Sequence, residues 1–192
     1  MHIDHDQLGL NTESDVEQKV LMPLLAGPSY LAIPPKAIFT KQYLAPTPLD
    51  KAAGRVTGYV PDYSIWMLGF PILIVEAKAP DVSPETGYRE AGLYARHLNQ
   101  VYPSNTNPCR FLIASNGRTL LFGYWDSQPA LEIDVMDLRP GTACLSALQE
   151  KCGSQHLRNH AERSLQQVRA GKATYPYASA GGGLPTVESS VF

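Results

Sequence analysis

Two carboxylates and one lysine lie in two strand-like segments, in positions where their side chains can meet. Asp62 lies in one such segment, and Glu76 and Lys78 end the next one, straight after four large apolar residues. Residues two apart in a strand share a face, so Glu76 and Lys78 point the same way and Ala77 points to the other face. Residues 68–70, Leu-Gly-Phe, predict a hairpin turn between the two strands. We therefore expect the two carboxylates and the ammonium to converge at the end of this hairpin.

These charged groups continue an apolar strand, and such a setting is unfavourable for a charge. Burying a charge costs several kcal/mol unless it is paired or bound to a metal. Two carboxylates at one point repel each other unless a cation sits between them. Mg²⁺ suits such a site because it prefers oxygen ligands and accepts one or two carboxylates together with water and phosphate. The metal would polarise a phosphate and activate water, and a neighbouring lysine would stabilise charge on the phosphate.

The elements that must position these residues predict an α/β fold with a mixed central β-sheet flanked by helices. Capping residues and helical spacing predict a first helix over 13–26, which Pro23 would kink or end early. Asn116-Gly117 predicts a two-residue hairpin turn. The other expected elements are strands over 37–44, 56–67, 71–78, 110–115, 119–125 and 130–135, a loop over 45–55, and helices over 84–102 and 144–170, the last weakened at Gly153.

The charged residues also form a recognisable motif. Pro61-Asp62 and then Glu76-Ala77-Lys78, fourteen positions after the aspartate, resemble the PD-(D/E)xK nuclease motif. Residues 13–25 resemble the first helix of the N-terminal nuclease domain of type I restriction enzyme motor subunits, and residues 111–117 resemble the strand and turn that follow the motif there. The resemblance covers roughly residues 12 to 135. It implies a restriction-endonuclease-like core and an enzyme that hydrolyses phosphodiester bonds in DNA with Mg²⁺, for which Mn²⁺ can substitute.

The resemblance also implies roles for individual residues. Asp62 and Glu76 would be metal ligands, the backbone carbonyl of Ala77 would be a third ligand, and Lys78 would be the catalytic lysine. Glu17 on the first helix matches a position that often adds a carboxylate to the site, and Glu13 is the competing choice. These assignments predict a metal-dependent endodeoxyribonuclease.

One position departs from the pattern of the family. Related domains often carry Gln four residues before Tyr in the helix after the motif, and here that position is Glu90, before Tyr94. Glu90 can make similar hydrogen bonds but adds a negative charge. The departure bears on DNA contact and on the pH dependence of activity.

Length and composition predict the setting of this site. We expect a nuclease domain over 1–140, a helical extension over 141–171, and a flexible Gly/Ser/Pro-containing tail or linker over 172–192. The net charge of -2 is unlike that of a protein that binds nucleic acid by bulk charge alone. The resemblance implies double-stranded DNA as the partner, and it implies further domains or subunits of a larger restriction or anti-phage assembly, which would supply the positive charge that this chain lacks.

Three features predict a cytoplasmic protein that does not associate with membranes. The three cysteines are too few for a disulfide framework, the N-terminus has no signal-peptide pattern, and the longest apolar run, 70–75, is too short to span a bilayer.

Other interpretations remain open beside the nuclease hypothesis. A Glu-Ala-Lys tripeptide alone is also typical of a surface ion pair, and the chain could be a non-catalytic binding module that keeps the nuclease fold. The intact set of Asp62, Glu76 and Lys78 favours an enzyme, because a silent domain is free to lose such residues. A zinc site at Cys152, His156 and His160 is a weaker candidate, and a solvated helical face is its alternative. A basic track for phosphate is also a weaker candidate, and a solvated surface explains it equally well; its residues are Lys36, Lys41, Lys51, Arg55, Arg89 and Arg96.

Overall fold

The computed structural model describes residues 3–6, 8–46, 51, 54, 57–103 and 105–171. Its centre is one six-stranded mixed sheet in the order β1-β2-β3-β4-β5-β6, where only the β3–β4 pair is parallel. This α/β architecture with helices is the fold class that the sequence predicts. The strands are β1 (Ile38–Thr40), β2 (Tyr63–Met67), β3 (Phe70–Ala77), β4 (Phe111–Ser115), β5 (Thr119–Tyr124) and β6 (Leu131–Asp134).

The first helix, α1, covers residues 13–26 and contains a change of hydrogen-bond pattern. It is α-helical over Glu13–Val16, π-helical over Glu17–Leu21 and α-helical again over Met22–Ala26. A capping box between Thr12 and Asp15 starts the helix. The helix continues past Pro23, and the irregularity expected of this proline takes the form of the wider π-helical stretch directly before it.

Strand β3 occupies the centre of the sheet, and all eight of its residues are buried. Its continuous apolar run predicts this doubly covered position. Ala77 packs into a core shared with α1 and with two C-terminal helices, whereas Ile74 packs into a second core beneath helix α2 (Pro84–Asn99). Glu76 lies two residues beyond Ile74 and therefore faces α2 as well.

The turn between β2 and β3 fixes the register that matters for the site. Leu68 and Gly69 both have left-handed backbones, with φ of 54° and 81°, as a tight two-residue hairpin turn requires. Tyr63 pairs with Val75 across the hairpin. The predicted hairpin is confirmed, and Asp62 lies directly opposite the end of β3.

Several predicted elements are longer than the observed ones. The strand expected from residue 56 begins only at Tyr63, because Pro61 has no N–H for a ladder. The strand predicted over 37–44 contracts to β1. The β4–β5 turn has three residues, 116–118, instead of two, and Asn116 closes it by accepting hydrogen bonds from two following backbone N–H groups. Most of the loop predicted over 45–55 and the tail over 172–192 lie outside the described residues.

Two C-terminal helices complete the fold, α3 (Ala143–Cys152) and α4 (Ser154–Arg169). They separate at Gly153, as the sequence predicts, where the backbone is extended and a side chain would meet the Gln149 carbonyl oxygen at 2.5 Å. Both helices contribute to the same core as β3 and α1. Within the described residues, no helix combines the length and apolarity needed to cross a membrane.

Candidate active site

The β2–β3 hairpin holds two buried carboxylates against each other. Asp62 and Glu76 are 5% and 3% exposed. The Asp62 N–H donates to Glu76 Oε1 at 3.1 Å, and the Ala77 N–H donates to Asp62 Oδ2 at 2.8 Å. Each carboxylate is therefore fixed by the backbone beside the other one. This leaves Asp62 Oδ1 and Glu76 Oε2 free of these backbone bonds.

Lys78 lies on the same side of β3 as Glu76, as the two-residue spacing predicts. Its Nζ is 2.8 Å from Glu90 Oε2, 3.7 Å from Glu76 Oε2 and 4.0 Å from Glu13 Oε2. Helix α2 can approach this closely because it presents Gly87, where a Cβ would lie 3.2 Å from Lys78 Cγ. The missing side chain at this position makes room for the glutamate and the lysine between sheet and helix.

Helix α1 adds two further carboxylates. Single carboxylate oxygens of Glu13, Glu17 and Asp62 all lie within 4.8 Å of one another. The Tyr63 hydroxyl donates to the Glu17 backbone carbonyl at 3.0 Å, which ties the helix to β2. Both first-helix acids that the sequence offers as alternatives therefore reach the site.

A second lysine, Lys41, completes the cluster. Its Nζ contacts Glu17 Oε1 at 2.9 Å and Asp62 Oδ1 at 2.7 Å. The sequence places Lys41 only among several basic residues of a candidate phosphate track. Its position depends on the turn after β1, where Lys41 has a left-handed φ of 50°, and no sequence signal predicts this conformation for a lysine.

The electrostatics of the cluster reflect an excess of carboxylates. Burial, reinforced by the charge of Asp62, raises the pKa of Glu76 to about 8. Burial also raises the pKa of Glu13. For Lys78, burial acts to lower the pKa, but the hydrogen bond to Glu90 and the surrounding carboxylates outweigh it and the pKa is raised. The lysine therefore carries its positive charge at neutral pH, and Glu76 gives up its proton readily only when more positive charge is present.

The donor set fits a hard divalent cation. Every side-chain donor in the cluster is a carboxylate oxygen, which Mg²⁺ and Mn²⁺ prefer over the sulfur and imidazole ligands typical of zinc. Within the described part of the chain, Glu13, Glu17 and Asp62 form the only group of three or more acidic, His or Cys side chains close enough to share a metal, and Glu76 is not a member of this group. The weaker zinc candidates are engaged elsewhere: Cys152 donates to the Leu148 carbonyl, and His160 bonds to the Pro108 carbonyl.

The α/β fold places carboxylates and a lysine at the end of a hairpin, and a comparison with protein families adds to this geometry. Residues 55–127 match the family model described as type I restriction enzyme R protein N terminus (HSDR_N). The match confirms the resemblance over this stretch, which includes Asp62, Glu76, Lys78 and Glu90, and the first helix lies outside it. No curated protein and no solved structure matches the chain.

Proposed function

We propose that this chain is a Mg²⁺-dependent DNA endonuclease domain. The observation that carries the proposal is the convergence of Asp62, Glu76 and Lys78 with the first-helix carboxylates. The first three of these residues lie in the stretch that matches the R-protein N terminus family. Five carboxylates and two ammonium groups in one partly buried cluster are costly to maintain for stability alone. Such clusters of perturbed ionisable groups are typical of functional sites.

The proposed metal ligands are Asp62, Glu76 and the backbone carbonyl of Ala77. Glu17 would contribute from α1, directly or through water, and Glu13 is the neighbouring alternative. The bound metal would supply Lewis acidity toward the phosphodiester and make water a better nucleophile at neutral pH. Mn²⁺ is expected to substitute, because it accepts the same oxygen ligands.

Lys78 would act as a cation and not as a base. Its raised pKa keeps it protonated at neutral pH, so it can donate hydrogen bonds to a phosphate oxygen and stabilise the negative charge that develops there. Glu90 holds the ammonium 2.8 Å away and would release it, in part, when a phosphate arrives. Glu76 fixes the Asp62 backbone, so the two halves of the hairpin move as one unit.

The proposed substrate is double-stranded DNA, and the proposed context is a larger restriction or anti-phage protein. The family match supports both. With a net charge of -2, the domain would rely on attached modules for much of its DNA affinity.

The test is cleavage of supercoiled plasmid DNA in Mg²⁺ or Mn²⁺. We expect nicked or linear product from the wild type and a loss of about a hundredfold or more in Lys78→Ala. The control Arg169→Ala, whose side chain is exposed at the end of α4, should cleave at the wild-type rate. Equal cleavage by the wild type and Lys78→Ala would contradict the assignment. Absence of cleavage by both, together with absence of Asp62-dependent Mn²⁺ binding, would favour the non-catalytic binding module.

A further inference from the structure

Lys41 contacts two carboxylates of the acidic cluster, although it lies outside the nuclease motif. Its Nζ bridges Glu17 Oε1 and Asp62 Oδ1 at 2.9 and 2.7 Å. Its backbone N–H donates to the Asp62 carbonyl at 3.0 Å, which anchors the base of the side chain next to the aspartate. One ammonium therefore bridges two carboxylates that come from different parts of the chain.

The ammonium of Lys41 uses the oxygens that a metal would need. Asp62 Oδ2 already accepts the Ala77 N–H, so Asp62 Oδ1 is the oxygen available to a ligand, and Lys41 holds it. Glu17 is the other carboxylate that Lys41 contacts, and it belongs to the same close group of carboxylates. A divalent ion bound to these oxygens and an ammonium in its present place would repel each other at short range. Lys41 and the metal would therefore bind the same oxygens of Asp62 and Glu17 in turn and not together.

The side chain of Lys41 is free to leave. It is 54% exposed, whereas the carboxylates it contacts are 14% and 7% exposed. Its flexible four-carbon stem can swing toward solvent while the backbone stays attached to Asp62. A released ammonium would stay tethered beside Asp62 by its backbone, within reach of a phosphate bound at these carboxylates.

We propose that Lys41 is a displaceable counter-ion of this site. In the metal-free protein it neutralises Glu17 and Asp62, on metal binding it gives way, and it then pairs with a phosphate of the bound DNA. The inference rests on the proposed metal-dependent function and adds to it a residue that couples metal binding to substrate binding.

The test compares Mn²⁺ affinity, measured by calorimetry without DNA, in four proteins. These are the wild type, Lys41→Gln, Lys41→Arg and the control Lys36→Gln, which removes one positive charge from an exposed residue. We expect Lys41→Gln to bind Mn²⁺ roughly three- to tenfold more tightly because its competitor is gone. Lys41→Arg should stay near the wild type, and Lys36→Gln should change by less than about twofold.

DNA binding supplies the second measurement. In a Lys78→Ala background with Mg²⁺, adding Lys41→Gln should weaken DNA affinity several-fold and reduce the salt-dependence slope by about one. Unchanged DNA affinity would overturn the phosphate contact. Unchanged or weaker Mn²⁺ binding in Lys41→Gln, beside measurable binding in the wild type, would overturn the displacement alone. Absence of Mn²⁺ binding in all four proteins would overturn both this inference and the metal centre.

Discussion

Replacing Glu76 with Gln should make the metal-free protein more stable at alkaline pH. Glu76 is 3% exposed, and burial together with Asp62 raises its pKa from 4.5 to about 8. The folded state therefore binds a proton that the unfolded state has released between these two pH values. The stability that this proton contributes is fully present below about pH 4.5 and is lost as pH rises to about 8.

The magnitude follows from the size of the shift. A rise from 4.5 to about 8 in the folded state corresponds to about 5 kcal/mol of lost stability above pH 8 relative to acid conditions. Glutamine stays neutral and keeps the oxygen that accepts the Asp62 N–H. Glu76→Gln should therefore exceed the wild type by about 3–5 kcal/mol near pH 8.5, and by less than about 1 kcal/mol near pH 5.

The assay is urea denaturation in EDTA at about pH 5, 6.5 and 8.5. Glu150→Gln serves as the control, because Glu150 is exposed on α3 and its replacement should leave the pH profile unchanged. A Glu76→Gln profile parallel to that of the wild type would show that the carboxyl titrates normally and that the cluster is not strained by excess charge. Lower stability of Glu76→Gln at alkaline pH would refute the reasoning as well.

Three further substitutions test the surroundings of the site. Glu90→Gln should raise DNA affinity a few-fold in fluorescence anisotropy, since it removes a negative charge 2.8 Å from the Lys78 ammonium; unchanged or weaker binding would contradict this. Gly87→Ala should lower the plasmid cleavage rate at least tenfold, because its Cβ would lie 3.2 Å from Lys78 Cγ. In the control Gly92→Ala, the nearest atom to the new Cβ would be 3.8 Å away. This control should cleave normally and be more stable by about 1 kcal/mol. Asn99→Ala should lower the free energy of unfolding in urea by about 2–4 kcal/mol, because the buried Asn99 amide donates to the Cys109 carbonyl and accepts from the Cys109 N–H just before β4. A loss below about 0.5 kcal/mol would count against that role.

The sequence predicts that Asp62, Glu76 and Lys78 lie close together, and it does so for a physical reason. A strand of period two that ends in Glu76-Ala77-Lys78 leaves little choice of face, and a tight Leu68-Gly69 turn sets the register that brings Asp62 opposite. Each of these features is local in the chain. Their geometric consequences could therefore be derived without knowledge of the packing.

The helical half of the site could not be predicted in the same way. Glu13 and Glu17 are one helical turn apart, and the choice between them depends on how α1 docks on the sheet, including a π-helical stretch that no simple periodicity reveals. Both carboxylates reach the cluster. The position of Lys41 in the site could not be predicted for a similar reason. It depends on a left-handed backbone after β1 and on contacts with Asp62 and Glu17, which are 21 and 24 positions away in sequence.

Anomalous diffraction from crystals grown with saturating Mn²⁺ would test the central claim most directly. We predict an Mn²⁺ peak bonded to Asp62, Glu76 and the Ala77 carbonyl, with the Lys41 ammonium moved away from Asp62. A protein that shows no peak at these residues, with Lys41 still bridging the carboxylates, would contradict the assignment of a metal-dependent active site.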